Sequence, residues 1–168
     1  MEISTHQIAG RGDIPNNPLL PLIVYKSVVD GEGDAAAAAF EQMFEANGWT
    51  GCWRNGIFDF HHFHSTAHEV LGIYAGAASV QFGGPDGIVI EAETGDVIVV
   101  PAGVGHKKLN ARGKFGVVGA YPIAQSPDIC EPGVGDTAHY GANVATVSIP
   151  ARDPVSGESG PIVDIWRR

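Results

Sequence analysis

Residues Gly56–Gly76 read GIFDFHHFHSTAHEVLGIYAG, and residues Gly95–Asn110 read GDVIVVPAGVGHKKLN. In the first stretch Phe58, Phe60, His62 and His64 alternate with Ile57, Asp59, His61 and Phe63. That is the period of a β-strand, in which residues two apart share a face. His62 and His64 therefore point the same way, and the short SerThrAlaHis segment at 65–68 predicts a turn that returns Glu69 beside them on the next strand. The second stretch opens on a hairpin glycine, Gly95, and passes through Pro101 and Gly103 before reaching His106. Proline fixes φ and glycine frees the backbone, so a tight turn is expected just ahead of that histidine. A closed barrel would carry His106 across to the other three.

Three imidazoles and a carboxylate make a complete protein ligand set for one divalent transition metal. Imidazole suits Zn, Cu, Fe and Ni, and the carboxylate adds tolerance for Mn and Fe, so the expected ion is one of Fe, Mn, Zn, Ni or Co. Two geometries remain open: an octahedral site with two vacant positions for substrate, or a four-coordinate zinc site that is nearly closed. His61 alternates to the opposite strand face and His68 falls in the expected turn, so a surface or supporting place is the reading for each.

The rest of the chain frames these stretches. Val/Ile-rich runs separated by turn signals, such as GGPDG at 83–87 and TGD at 94–96, indicate short strands in a sandwich or barrel. A strand is expected at Leu22–Val29, then one N-terminal helix over about 35–47, with Asp34 as its cap and Phe40, Met43 and Phe44 on its buried face. Residues 1–21 read as an irregular arm, 124–141 as a long loop, and Val144–Ile149 as a further strand. The whole is expected to be one all-β domain over 1–168: arm, strand and helix in 1–55, a barrel core in 56–121, and a loop, strand and tail in 122–168.

Composition narrows the partners. A net charge of −9, with basic residues scattered, excludes nucleic acid as the expected partner, because phosphate neutralisation needs clustered Lys and Arg. An anionic membrane surface is excluded likewise, and no apolar run approaches the length of a spanning helix. The start MEISTHQIAGRGD lacks the apolar core of a secretory signal, so the expected location is cytoplasmic. Cys52 and Cys130 are read as free thiols in that setting.

Every fixed position of two motifs, G(x)5HxH(x)3,4E(x)6G and G(x)5PxG(x)2H(x)3N, is matched: by Gly56, His62, His64, Glu69 and Gly76, and by Gly95, Pro101, Gly103, His106 and Asn110. On these residues the chain resembles the cupin superfamily, and HSTAHEVLGIYAG, VPAGVGHKKLN and the tail DPVSGESGPIVDIW resemble more narrowly the uncharacterised YjlB-like bacterial cupins. The resemblance implies a jelly-roll β-barrel with His62, His64, Glu69 and His106 as metal ligands, and a homodimer. Cupins perform many reactions on one fold, so the family does not name one.

Strand parity directs Phe58, Phe60, Leu71 and Ile73 inward, with ordinary core packing the stronger reading for the two phenylalanines. Phe58, Phe60, Ile73, Lys108 and Tyr121 are the candidates for a substrate pocket, although Lys108 reads first as a solvated lysine. The leading functional expectation is a metal-dependent enzyme acting on a small organic molecule, with dioxygenase-type oxidoreduction ahead of isomerisation. A non-catalytic binding or sensing barrel and a purely structural metal are the alternatives, and the catalytic residues are unassigned.

Overall fold

In the computed structural model, which describes residues 1–167, the elements run β1 (Glu2–Ile8), β2 (Asn17–Lys26), α1 (Asp34–Ala46), β3 (Trp49–Asn55), β4 (Glu69–Phe82), β5 (Ile88–Glu93), β6 (Val97–Val100), β7 (His106–Pro122), α2 (Thr137–Thr146) and α3 (Pro161–Asp164). All strands pair antiparallel in a seven-stranded sheet ordered β1-β2-β6-β4-β7-β3, with β5 also on β4. The fold is all-β and jelly-roll-like. No helix among the described residues is long and apolar enough to cross a membrane.

Side-chain alternation sorts the strands onto two cores. Leu22, Val24, Leu71, Ile73, Val80, Ile98 and Val117 pack together inside the sheet. Their neighbours Ile23, Tyr25, Val70, Val97, Val99 and Val118 turn the other way, against Phe40 and Phe44 of α1 and against Ile162 and Trp166. Because β2 and β6 are buried on both faces, they are continuous apolar runs rather than alternating ones. The helix seats closely: a Cβ on Gly72 would stand 2.7 Å from the Phe40 ring, so the ring lies flat on bare β4 backbone. Burying a phenylalanine in this way contributes about 1.5–3 kcal/mol.

Several expectations are corrected. The supposed arm contains β1, an edge strand paired with β2 from Glu2↔Lys26 to Ile8↔Asn17. Most of its side chains are exposed or only half-buried, so it lacks the apolar run that marks a buried strand. Strand β2 starts at Asn17, five residues before the expected Leu22, and ends at Lys26. Asp34 is the first residue of α1 rather than its cap; Gly33 precedes it, and the carboxylate sits in the first turn, where it favours the helix dipole. Val144–Ile149 is not a strand. Its first residues end α2, which Asp136 caps by accepting from the amides of Ala138 and His139. Only Val144 of this helix is buried, so no apolar periodicity marks it in the sequence.

Candidate metal centre

The segment 57–64 is not the regular strand that its alternation predicts. It is held by two isolated bridges, His62 to His106 and Phe63 to Cys130. The first exchanges both backbone hydrogen bonds, His62 N to His106 O at 3.3 Å and His106 N to His62 O at 2.9 Å. This local pairing suffices to keep the even-numbered side chains on one side, and the two imidazole centroids lie 4.1 Å apart. Glu69 begins β4 opposite Val100, and His106 begins β7 opposite Phe82. Gly103, which precedes His106, has φ +89° and donates its amide to His64 O at 2.7 Å. A Cβ there would stand 2.4 Å from Asn16 O, so both backbone conformation and space require glycine.

The sequence brings together His62, His64 and His106 as read: one ring nitrogen from each lies within 4.8 Å of the others, and all three residues are buried. Each Nδ1 is tied to a carbonyl: His62 to Phe60 O at 3.0 Å, His64 to Asp128 O at 2.5 Å and His106 to Val104 O at 3.0 Å. Such bonds fix ring orientation and tautomer and leave Nε2 as the lone-pair donor. Glu69 Oε2 lies 3.3 Å from both His64 Nε2 and His106 Nε2. Two donors each about 2.1 Å from one ion at right angles stand about 3 Å apart, so this spacing fits a shared ion.

The electrostatics point the same way. Burial, reinforced by the neighbouring His106 ring, pushes His62 down to about 3, so this imidazole is a neutral donor. Burial also works against a charged His64, but the Glu69 carboxylate and Asp128 outweigh it and raise the value. Burial alone would raise Glu69; the His64 and His106 imidazoles instead hold it well below the usual carboxylate range. An ionised carboxylate among imidazoles favours a positive charge at its centre.

For the metal-free protein in chelator this has a consequence with a definite sign. Unfolded His62 takes up a proton near 6.5, whereas folded His62 stays neutral until about 3. The unfolded state therefore binds more protons in that window, and stability falls as pH drops through it. His64 acts oppositely, its raised value giving stability that is lost as pH rises through it. Urea unfolding at pH 7.5 and 4.5 is expected to show a steeper acid loss in wild type than in His62→Gln. Equal losses would show that His62 does not titrate this way.

Residues that the sequence did not single out hold the centre. Asn16 donates to Gly83 O at 3.2 Å and accepts from Gly105 N at 3.0 Å, while Asn17 donates to Ala102 O at 3.1 Å. The N-terminal segment thus braces the loop that presents His106. The Asp128 side chain accepts from both the amide and the hydroxyl of Ser65. His68, read as a surface or supporting residue, takes the supporting place: it is fully buried, and its Nδ1 accepts the Ala102 amide at 2.9 Å, coupling the turn before Glu69 to the turn before His106. No spacing rule announces these contacts, because each joins residues distant in the chain.

A cavity of about 130 Å³ opens at His62, His64, Glu69 and His106. Its apolar walls are Trp53, Ile57, Phe58, Leu71, Pro127 and Ile129. Tyr121 also lines it and accepts a hydrogen bond from Trp53 Nε1 at 2.8 Å. Burial and the Glu69 carboxylate push the Tyr121 phenol up, so it stays protonated. Of the other pocket candidates, Phe60, Ile73 and Lys108 do not line the cavity. Ile73 is wholly within the inner core, one turn of the pleat beyond Leu71. Lys108 lies on β7 opposite Val80, and Phe60 is 37% exposed and stacked on Phe58 outside the chamber. Phe58 is 45% exposed, so it borders the opening instead of filling the interior. Residues 57–64 meet the sheet only through isolated backbone bonds, so Phe58 and Phe60 lie on the histidine side but toward the rim rather than in the interior.

Over 165 residues, 98% of this chain and 97% of the relative, 36% of positions are identical to the uncharacterised protein YjlB of Bacillus subtilis (strain 168). The chain belongs to the YjlB family. No family model matches it. The similarity to YjlB spans both histidine-bearing stretches, the N-terminal segment that braces His106 and the tail that covers α1, so it concerns the whole fold and not the motifs alone.

Cys52 and Cys130 are free, as expected. Burial, first of all, raises both thiols to about 11. Neither is a thiolate donor near neutrality.

Proposed function

We propose that this YjlB-family protein is a cupin in which His62, His64, Glu69 and His106 hold one divalent transition metal, and that it acts there on a small organic molecule as a dioxygenase-type oxidoreductase. The observation carrying this reading is the convergence of three imidazoles, each oriented through Nδ1 by a backbone carbonyl, with one ionised carboxylate at the end of a cavity. When bound, such an ion supplies Lewis acidity and, if it is redox-active, a route for electrons between an organic substrate and dioxygen.

The chain's own residues would bind and orient the substrate. Apolar walls exclude water from the reacting end, and Tyr121, held from behind by Trp53, presents the phenol proton. Among the described residues the cavity lining contains no carboxylate besides Glu69, which is engaged by two imidazoles. An isomerase that shuttles protons between two side chains would need such a pair, which is why oxidation is preferred.

Elemental analysis of protein purified without added metal tests the first part, with one transition-metal ion per chain as the expected result. Reconstitution with Fe(II) or Mn(II) and oxygen-electrode screening of small organic acids, phenols and enols tests the second. Substrate-dependent oxygen uptake is expected. Tight zinc occupancy with no uptake would overturn the oxidative reading in favour of a binding barrel.

A further inference from the structure

The chamber also carries information about what enters it. At about 130 Å³ it is close to the roughly 150 Å³ of an engineered apolar cavity that accepts a single benzene ring. Apolar surface continues outward from it: Phe58 and Ile129 are 45% and 63% exposed at its edge, and Phe58 stacks on Phe60 with centroids 4.8 Å apart. Among the described residues no lysine or arginine lines it, so a buried anionic group would meet no side-chain cation from them.

One further polar group, Tyr121, lines the chamber beside Glu69. The Tyr121 hydroxyl oxygen accepts from the Trp53 indole at 2.8 Å. With an acceptor site already used, the phenol proton is the end left to face the chamber and Glu69. Tyr121 is therefore set to donate, which selects a ligand that accepts.

We propose that the chamber selects a compact monoanion, one ring or a short chain ending in a carboxylate, phenolate or enolate, and that Tyr121 is the specificity-determining donor to that end. This rests on the metal reading of the site. Neutral imidazoles, one carboxylate and a divalent ion carry a single net positive charge, which one anionic end balances. A phosphate monoester or a dicarboxylate would bury a second charge with nothing opposite it, and an unpaired buried charge is strongly disfavoured. The apolar walls then reward a hydrocarbon body, and the chamber's size sets its limit near one ring.

The full-length protein loaded with Co(II) tests this by visible absorption and calorimetry, with benzoate, phenyl phosphate and succinate as probes. Benzoate is expected to perturb the cobalt spectrum and to bind at least about tenfold tighter than the other two. Tyr121→Phe is expected to weaken benzoate about tenfold, the loss of one hydrogen bond to a charged group, while cobalt stoichiometry stays at one per chain; the Trp53 indole loses its acceptor, so a small drop in the urea midpoint accompanies the change. Phenyl phosphate or succinate binding as well as benzoate, no benzoate binding to fully loaded protein, or an unchanged benzoate affinity in Tyr121→Phe would each overturn the proposal and leave the metal site standing. Failure of the wild-type chain to take up one Co(II) would overturn the metal reading itself, and the substrate class with it. The wild-type ranking decides the matter even if the Tyr121 variant does not fold.

Discussion

His106→Ala is expected to lower affinity for a divalent transition metal by at least about 100-fold, the loss that removal of groups one bond further from a metal already causes. His106 is 1% exposed, its Nδ1 is tied to Val104 O, and its Nε2 lies 3.3 Å from the Glu69 carboxylate. The substitution removes one of three imidazoles and also one of the two rings that keep Glu69 ionised. Chelator competition with zinc at pH 7.5 measures the change. His61→Ala is the matched control, since His61 is not among the clustered histidines, and its metal affinity is expected to equal that of wild type. Affinity within about threefold of wild type for His106→Ala would remove this residue from the ligand set. Circular dichroism of the chelated proteins separates loss of a ligand from loss of fold, because the backbone pairing of His62 with residue 106 does not need the imidazole.

The largest effect on stability is expected far from the histidine cluster. Asp153 is fully buried, and its carboxylate accepts from the Tyr25 hydroxyl and from the amides of Val155, Ser156 and Ile162. These contacts fasten the C-terminal segment to β2, where Trp166 Nε1 also donates to Pro21 O at 2.9 Å. Asp153→Ala strands a phenol and three amides without their acceptor, and is expected to cost about 3–5 kcal/mol. Urea denaturation reads this as a lower midpoint, while the folded fraction still binds one metal ion per chain. Tyr25→Phe leaves the three amide bonds in place and is expected to cost about 1–2 kcal/mol. If Asp153→Ala unfolds within about 1 kcal/mol of wild type, the carboxylate does not anchor the tail. The Asp153–Gly157 bridge closes a turn, and the side chain looks inward.

The clustering of the three histidines was legible because the relevant spacings are short. His62 and His64 share a side whether their segment is a full strand or, as here, one pair of bridge hydrogen bonds. Glu69 follows at turn distance, and a proline and a glycine announce the bend before His106. The helix α1 was legible from Phe40 and Phe44, whose spacing matches one buried face. Strand β1 and helix α2 were not, because each exposes most of its side chains and neither carries the apolar period by which buried elements are read.

The chain alone determined the all-β class, the helix, and which three histidines and which carboxylate share one side, since alternation and turn chemistry are local properties of a sequence. Only the tertiary structure decided that Asn16, Asn17, His68 and Asp128 hold the centre, and that Phe60, Ile73 and Lys108 stay out of its cavity. Those outcomes depend on hydrogen bonds and packing between residues dozens of positions apart. Such contacts form only once the sheet has closed, and no local period encodes them.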